Sequence, residues 1–280
     1  MGSGALGLIA GAGCFPIEVA RGARREGRLV MAIAFHESTD PAIEAEVGSV
    51  HWLRAGQIES AVDFMLAAGV REAVMAGKVP KIALLDRPET LWLDASATAL
   101  LRGLRDQRDV SILRLVADYL ASRGIRLLRQ LEFVPHLLAR TGPLGCVKPT
   151  PEAEADIRFG WSVAKNIAGL NIGQTVVVKD RAVLAVEAIE GTDEAIRRGG
   201  SLVAGACVVK VARPACDLRF DLPAIGRDTA LVLVEARINT LAFEVDRTVI
   251  IDREELVEVA DEHDIALLGI QGEPETRASQ

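Results

Sequence analysis

The chain opens with an apolar strand, a glycine-rich turn and a helix, and this order limits the folds available to it. Residues 5–10 are apolar, and the turn Gly11-Ala12-Gly13-Cys14-Phe15-Pro16 separates them from a predicted helix, Ile17–Arg25. A strand that feeds a helix through a tight turn typically begins a doubly wound parallel sheet. Short apolar runs continue to alternate with helical periodicity up to residue 128. The pattern predicts a Rossmann-like N-terminal domain with a parallel sheet over residues 1–138.

The glycine-rich turn is a candidate phosphate site. Glycines allow a phosphate to approach the backbone closely, and the start of the following helix offers free N–H groups. We therefore predict substrate contacts at Gly11, Ala12 and Gly13, with a plain tight turn as the alternative. Pro16 stands where a dinucleotide fingerprint would have its third glycine, which weakens an NAD interpretation. Lys78 follows the predicted strand Glu72–Ala76 at its carboxyl end, where parallel sheets bind ligands, and is a further phosphate-contact candidate.

The second half of the chain is predicted to form a mixed α/β domain over residues 148–280. Residues 139–147 contain glycine and proline without periodicity, which is typical of a linker. Thr150 is the predicted cap of a helix that begins at Pro151. The predicted strands are Thr175–Lys179 and Ala182–Ala188, joined by a tight turn at Asp180-Arg181, then Val208–Ala212, Thr248–Ile251 and Ala266–Leu268, with a helix Arg253–His263 capped by Asp252.

Polar residues gather where these strands end. They are Glu187, Glu190, Thr192, Asp193, Asp217 and Asp221. Such a set is costly to cluster in an apolar framework unless it holds a cation or a polar ligand. Carboxylates together with lysines (Lys148, Lys179 and Lys210) suit Mg²⁺ or Mn²⁺ with a phosphorylated ligand. The alternative is that these carboxylates face water or cap helices.

Composition excludes several classes of protein. The net charge of −7 argues against a general nucleic-acid binder, which would show a basic stripe. The four cysteines show no CxxC spacing, so neither a zinc site nor a disulfide framework is expected. The uncharged opening up to Ile17 lacks the basic region of a signal peptide. No apolar run approaches the roughly 20 residues that would span a bilayer.

Four blocks of sequence carry a resemblance to a known family. They are GLIAGAGCFP (Gly7–Pro16), EADIRFGWSVAKNIAGLNIGQTVVVKD (Glu154–Asp180), VLAVEAIEGTDEAIRR (Val183–Arg198) and DLRFDLPAIG (Asp217–Gly226). In this order they closely resemble the LpxI-type UDP-2,3-diacylglucosamine pyrophosphatases. The blocks of the second half are long and specific, and the resemblance extends along nearly the whole chain.

The resemblance implies a reaction and a place in the cell. Such enzymes act in lipid A biosynthesis and hydrolyse UDP-2,3-diacylglucosamine to UMP and 2,3-diacylglucosamine 1-phosphate (lipid X), with a divalent metal, normally Mg²⁺. Water is expected to attack the phosphorus on the sugar side. The expected location is cytoplasmic, peripheral to the inner membrane, and the expected arrangement is two domains with the larger share of the chemistry in the C-terminal one.

The resemblance also implies site residues. Asp221 matches the family's essential aspartate in its DLPTIG-like motif and is expected to bind metal or to position water. Glu190, Thr192 and Asp193, with Gln174, match other motif positions and are expected to line the same site. Glu190 and Asp193 are also predicted catalytic residues, Glu190 is a predicted metal ligand as well, and Lys148 and Lys210 are predicted substrate contacts. The family's threonine is Ala224 here, and Asn239–Asp246 departs from the expected glycine-rich text.

Two other functions stay open at this point. The chain could be a non-enzymatic nucleotide- or lipid-binding sensor on the same fold, which would retain product without hydrolysis. It could also be an NAD-dependent oxidoreductase on a Rossmann-like domain, which would bind NAD(H). Exposed apolar helix faces would suit a homodimer.

Overall fold

The computed structural model describes residues 4–78, 93–102 and 109–272. The chain forms two compact units. The first is Met1–His136 with a short later segment, Asp217–Asp221, and the second is Leu137–Cys216 with Leu222–Gln280. Each unit is built around its own sheet, so the predicted α/β class with two domains is confirmed. The sequence also predicts that Asp109 caps a helix and that the tail near Gln280 is loose. The side chain of Asp109 and the tail both lie outside the described part of the chain.

The first unit contains a parallel sheet of five strands in the order β3-β2-β1-β4-β5. The strands are β1 (Leu6–Ala10), β2 (Val30–Phe35), β3 (Ser49–Leu53), β4 (Glu72–Ala76) and β5 (Arg126–Leu127). Leu6 is paired with Val30 on one side and with Glu72 on the other, so β1 is central. The order reverses between β1 and β4, and in such sheets ligands bind beyond the carboxyl ends of the strands at this point. The predicted Rossmann-like parallel sheet is confirmed.

Among its described residues, the first unit has four α-helices: α1 (Phe15–Arg25), α2 (Ile58–Ala67), α3 (Ala95–Arg102) and α4 (Asp109–Ser122). Met65 of α2 and Leu120 of α4 share a buried cluster with Ile33 and Met75 of the sheet. In α1, a Cβ on Gly22 would lie 2.3 Å from the carbonyl oxygen of Phe133. The helix therefore packs directly on backbone, and only glycine fits at that contact.

The second unit contains a mixed sheet of six strands in the order β6-β13-β11-β9-β7-β8. The strands are β6 (Gly142–Pro143), β7 (Thr175–Lys179), β8 (Ala182–Val186), β9 (Cys207–Lys210), β11 (Thr240–Glu244) and β13 (Ala266–Ile270). Strands β9, β11 and β13 are parallel, whereas β7 is antiparallel to β9 and to β8. A separate parallel pair joins β10 (Ala224–Ile225) to β12 (Val249–Ile250).

Helices cover both faces of this mixed sheet. They are α5 (Pro151–Gly169), α6 (Thr192–Leu202), α7 (Arg227–Glu235) and α8 (Arg253–Glu262). Val209 shares a buried cluster with Ala164 of α5, whereas Val208 shares another with Ile196 of α6 and Leu233 of α7. Because successive residues of a strand point to opposite faces, α5 lies on one face and α6 and α7 lie on the other.

Local predictions from turn and cap chemistry are confirmed at two places. Asp180 and Arg181 join β7 to β8 with φ of 49° and 60°, the geometry of a two-residue hairpin turn. The buried carboxylate of Asp156 accepts hydrogen bonds from both of their N–H groups, at 3.1 and 2.6 Å. Thr150 caps α5, where its side chain accepts from the N–H of Ala153 at 3.2 Å.

Three details of the second unit differ from the predictions. Asp252 takes the predicted cap position before α8, but its backbone is left-handed (φ 49°) and its side chain makes no cap hydrogen bond. No strand is predicted at Thr240–Glu244, yet β11 lies in the middle of the sheet with all five residues buried. The segment interpreted as a linker, 139–147, contains the edge strand β6.

Candidate functional site

The glycine-rich turn lies at the switch point of the first unit and contacts the end of β4 directly. The N–H of Gly11 donates to the carbonyl of Ala76 at 2.8 Å, and the N–H of Ala12 donates to the carbonyl of Lys78 at 2.7 Å. A Cβ on Gly11 would lie 2.5 Å from that Lys78 oxygen, and one on Gly77 would lie 2.6 Å from the Ala12 oxygen. Close packing of two chain segments therefore explains these glycines, and the two N–H groups already have acceptors.

Gly13 and Lys78 are more accessible than Gly11 and Ala12 within the predicted phosphate site. Gly13 has a φ of +88° with open space beside its α-carbon, just before α1. Helix α1 has no side-chain cap at its amino end, and Pro16 lies in its first turn. The side chain of Lys78 is exposed. A phosphate contact from this region would come from Gly13 and Lys78 more readily than from the N–H groups of Gly11 and Ala12.

The segment Asp217–Asp221, here called the Asp221 segment, packs with the first unit although the chain on either side belongs to the second. Phe220 is 8% exposed and is part of the first unit's buried cluster. The carbonyl of Leu218 accepts a hydrogen bond from the N–H of Gln130 at 2.9 Å. Asp221 is predicted to lie in the C-terminal domain, whereas its segment belongs to the first unit.

The Asp221 segment is a compact turn. The carbonyl of Asp217 accepts from the N–H groups of Phe220 and Asp221, at 3.1 and 2.9 Å. The Asp217 carboxylate accepts from the Arg219 guanidinium through two nitrogens, at 2.9 and 2.7 Å. This hydrogen bond from Arg219 holds the pKa of Asp217 below its usual value, so Asp217 is ionised at neutral pH. Atom Oδ2 of Asp221 is buried.

In the second unit a polar network forms where β8 and β9 end and α6 begins. This Glu187 network consists of Gln174, Thr175, Glu187, Thr192 and Lys210. Oε1 of Glu187 accepts from the hydroxyl of Thr192 at 3.0 Å, and Oε2 accepts from the N–H of Gln174 at 3.1 Å. The ammonium of Lys210 donates to the same Thr192 hydroxyl at 3.1 Å, and Thr175 Oγ1 lies 3.4 Å from it. One hydroxyl thus links a buried carboxylate to a buried ammonium.

The Glu187 network also holds the strand that follows the Asp221 segment. Lys210 is 3% exposed and donates to the carbonyl of Ala224 at 3.0 Å, so it connects the two motifs EGTD and DLPAIG. Oε1 of Gln174 is buried and has no hydrogen-bond partner among the described residues. The structure brings together three of the predicted site residues, Gln174, Thr192 and Lys210. Glu187 lies at the centre of this network, but the sequence distinguishes it only as one of several acidic residues at strand ends.

Glu190 and Asp193, both predicted catalytic, lie beside the Glu187 network and make different contacts. The Glu190 carboxylate accepts from Arg198 at 2.6 Å and from the N–H of Ala188 at 3.2 Å. Burial alone would raise the pKa of Glu190, but its backbone hydrogen bond and Arg198 outweigh burial and lower the pKa below its usual value. Glu190 is therefore an ionised carboxylate with a cationic partner. Asp193 lies in the first turn of α6 and is half-buried.

A partly buried ion pair, which the sequence pattern does not predict, lies at the carboxyl ends of β9 and β11. The ammonium of Lys165 donates to both oxygens of Glu244, at 2.8 and 2.7 Å, and the N–H of Ala212 donates to Oε2 at 2.7 Å. Lys165 also lies 5.4 Å from the centre of the Trp161 ring, within cation–π range. The signal that could have found this pair is the acidic residue at the end of the apolar run TLAFE, but the run was not assigned as a strand.

The described part of the chain contains no group of three or more His, Cys, Asp or Glu side chains that could hold a metal ion. Glu190 has Arg198 as its partner, and a guanidinium next to a carboxylate disfavours a second cation there. Lys148, a predicted substrate contact, has an exposed side chain. Within the described residues, no helix is both long and apolar enough to cross a bilayer.

Two family models match the chain, and together they cover most of it. The LpxI N-terminal domain matches residues 5–137, and the LpxI C-terminal domain matches residues 140–268. A relative from Caulobacter vibrioides, the UDP-2,3-diacylglucosamine pyrophosphatase LpxI, is 31% identical over 279 residues, which cover 95% of this chain and 97% of the relative.

Two solved structures show a weak likeness. The biotin carboxylase domain of a thermophilic 2-oxoglutarate carboxylase matches 61% of this chain and 34% of its own, with 14% identity and a TM-score of 0.28. Rhizobium etli pyruvate carboxylase matches 63% of this chain and 13% of its own, with 17% identity and a TM-score of 0.26. The chain spans about a third or less of these proteins. With scores this low, neither likeness supports a statement about fold or function.

Proposed function

The chain belongs to the LpxI family, and from this premise we propose that it hydrolyses the pyrophosphate of UDP-2,3-diacylglucosamine in lipid A biosynthesis. The products are UMP and 2,3-diacylglucosamine 1-phosphate. The observation that carries the proposal is the match to both LpxI domains together with 31% identity to the Caulobacter vibrioides pyrophosphatase over nearly the full length of both chains. The similarity includes the segments that form the Glu187 network and the Asp221 segment.

The proposed reaction is a displacement at phosphorus by water. The water oxygen bonds to the phosphorus on the sugar side, and the bond from that phosphorus to the bridging oxygen breaks. The bridging oxygen leaves with UMP, and the water oxygen stays in the sugar 1-phosphate. One proton of the attacking water must be taken up, which requires a base close to that water.

Asp221 is the proposed catalytic residue, either as this base or as the group that orients the water. Two features of the structure support the choice. The turn closed by Asp217 and the anchored side chain of Phe220 fix the backbone of Asp221, and a fixed backbone limits the positions its carboxylate can take. Asp193 is a second proposed catalytic carboxylate, in the first turn of α6.

The substrate contacts are proposed from the chemistry of each side chain. The buried Oε1 of Gln174 is an acceptor, and both the uracil ring and the N-acyl group of the substrate carry an N–H that could donate to it. Gly13, Lys78 and Lys148 would meet phosphate oxygens through an N–H group or a positive charge. Thr192 and Lys210 complete the set, and because Lys210 already donates to Thr192 and Ala224, it would act mainly through its charge.

Dependence on Mg²⁺ or Mn²⁺ is part of the proposal, with fewer than three His, Cys, Asp or Glu side chains of the described residues available to hold the ion at any one place. Mg²⁺ is commonly held by one or two carboxylates together with substrate phosphates, so a pyrophosphate substrate would bring ligands of its own. Glu190 does not fit as a ligand because Arg198 occupies its carboxylate. None of the roles proposed above for individual residues requires a bound metal ion. The activity assay with and without EDTA tests whether the reaction depends on one.

The test is UMP release from UDP-2,3-diacylglucosamine by the purified chain, with and without EDTA. We expect release in the wild type, a loss of at least about 10³-fold in Asp221→Asn, and an unchanged circular dichroism spectrum in that variant. Glu72→Gln is the matched control because it also replaces a carboxylate by an amide in the first unit, at the amino end of β4. Equal activity of Asp221→Asn and the wild type would refute the assignment of Asp221.

The same assay separates the enzyme from a sensor. Tight retention of the sugar 1-phosphate without UMP release would favour the non-enzymatic alternative. A substrate with two acyl chains supports the further proposal that the protein works at the inner-membrane surface on the cytoplasmic side. Exposed apolar helix residues such as Leu202 and Leu231, 62% and 40% exposed, support a second proposal, that it works as a homodimer. Co-sedimentation with vesicles and light scattering test these two points independently of catalysis.

A further inference from the structure

The Asp221 segment is an excursion of five residues from the second unit into the first. The chain leaves the second unit after Cys216 and returns to it at Leu222. Ordering a loop residue costs roughly 1–2 kcal/mol of conformational entropy, so a short segment is fixed in this way only when its contacts offset the cost. The contacts are the buried ring of Phe220 and the hydrogen bond from Gln130 to Leu218. Asp221 is the last residue of the excursion.

Gln130 joins the Asp221 segment to the sheet of the first unit. Its backbone N–H donates to the carbonyl of Leu218 at 2.9 Å, and its side-chain Nε2 donates to the carbonyl of Met75 at 3.1 Å. Met75 lies next to the carboxyl end of β4, beside the switch point of the sheet. Gln130 is 5% exposed, so water does not compete for these bonds.

The segment is stiff enough to pass on a displacement. Between Leu218 and Asp221 the chain is braced by the two bonds to the Asp217 carbonyl and by the two-point contact of Asp217 with Arg219. The Arg219 guanidinium also lies 5.5 Å from the centre of the Phe220 ring. A shift of Leu218 therefore moves the backbone of Asp221 with it.

We propose that Gln130 is a positioning residue for Asp221: it fixes the Asp221 segment against the end of β4 and so sets where the reacting carboxylate lies. This inference rests on the proposed function, in which Asp221 reacts with or orients water. Gln130 acts through the segment's backbone and does not contact the reacting atoms. A misplacement of a reacting group by about 1 Å can cost on the order of 100-fold in rate.

The test combines kinetics with hydrogen exchange in three variants of the full chain. Gln130→Met has nearly the same shape but no donor for the Met75 carbonyl. Gln130→Glu also keeps the shape, and it replaces the donating NH₂ group by a carboxylate oxygen. Glu72→Gln is the control, because it removes an ion pair with Arg28 and Arg126 at the opposite end of the same strand. We expect kcat to fall by about 10- to 100-fold in both Gln130 variants, with KM changed by less than about twofold.

Hydrogen exchange reports the anchoring directly. In the Gln130 variants the peptide that contains Asp217–Asp221 should exchange at least about tenfold faster than in the wild type, whereas Glu72→Gln should leave its exchange unchanged. Unchanged kcat, a rise in KM alone, or an equal loss of kcat in Glu72→Gln would each overturn the positioning role. Absence of UMP release from the wild type would refute the proposed function instead, and unchanged exchange in Gln130→Met would then still refute the anchoring.

Discussion

Lys210 offers the sharpest test of how the Glu187 network is held together. The perturbation is Lys210→Met, which keeps the length of the side chain and removes the ammonium. In the wild type this ammonium is buried, donates to Thr192 at 3.1 Å and to the carbonyl of Ala224 at 3.0 Å, and lies one hydroxyl away from the Glu187 carboxylate. The variant therefore removes two hydrogen bonds and leaves Glu187 buried without a nearby positive charge in this network.

The expected loss follows from these contacts. Hydrogen bonds from a charged donor contribute about 1.5–3 kcal/mol each, and removing one partner of a buried charged arrangement typically costs about 3–5 kcal/mol in total. We expect Lys210→Met to lower the free energy of unfolding of the second unit by about 3–5 kcal/mol. Lys148→Met is the matched control because Lys148 is exposed in the same unit, and its expected effect is within about 0.5 kcal/mol.

Urea unfolding monitored by hydrogen exchange of peptides from the second unit measures this loss, because it follows one unit without assuming that both unfold together. The double variant Lys210→Met/Glu187→Gln provides the decisive comparison. Neutralising Glu187 removes the charge that Lys210→Met leaves behind, so the double variant should be more stable than the sum of the single losses predicts, by at least about 1 kcal/mol. A loss below about 1 kcal/mol in Lys210→Met, or strictly additive losses, would refute the reasoning.

Three further predictions test other parts of the structure. Hydrogen bonding to Arg126, and to a lesser extent Arg28, lowers the pKa of Glu72 against the effect of burial, so its contribution is present above the unfolded pKa of about 4 and is lost as pH falls through the folded pKa; the stability difference between wild type and Glu72→Gln should shrink in acid unfolding below pH ~4. Burial raises the pKa of Cys207 to about 12, so iodoacetamide should label it only after unfolding, whereas exposed Cys14 reacts in the native protein, as mass spectrometry would show. Gly22→Ala should destabilise by about 1–3 kcal/mol in thermal unfolding, although alanine favours helix, because its Cβ meets the Phe133 carbonyl.

The first unit was predictable from local pattern because its elements follow one another simply. Each strand is a short apolar run, each helix shows its own periodicity, and parallel strands joined by helices allow few arrangements. The predicted strand Glu72–Ala76 is observed with the same bounds, and helix α1 begins two residues before its predicted start at Ile17. The glycines of the opening turn predict either a phosphate contact or a plain tight turn. The packing of Gly11 against Lys78 supports the tight turn at that position.

Strand β11 was missed for a physical reason. A strand buried on both faces shows no alternation of polar and apolar residues, and a short apolar run by itself does not distinguish a strand from part of a helix. The final residue, Glu244, made Thr240–Glu244 look less like a buried strand. Its charge is balanced by Lys165, which lies 79 positions earlier in the chain, and no pattern within the run shows this partner.

Some residues of the candidate site could be predicted from local sequence, whereas the placement of others depends on partners far away in the chain. Gln174 directly precedes the predicted strand Thr175–Lys179, Lys210 lies within the predicted strand Val208–Ala212, and Thr192 begins α6. Pairing of β7 with β9 brings the first two positions together, so pattern and resemblance could both point to them. The Asp221 segment has no such signal. In the sequence, Phe220 is one apolar residue between charged neighbours in a loop, and a loop's sequence does not state which core will bury its side chain. That choice depends on the space left in the cluster around Met75 and Leu120 and on the N–H of Gln130, about 90 positions earlier in the chain. Asp221 could therefore be named as a catalytic residue from its motif, while the unit that holds it could be found only from the fold.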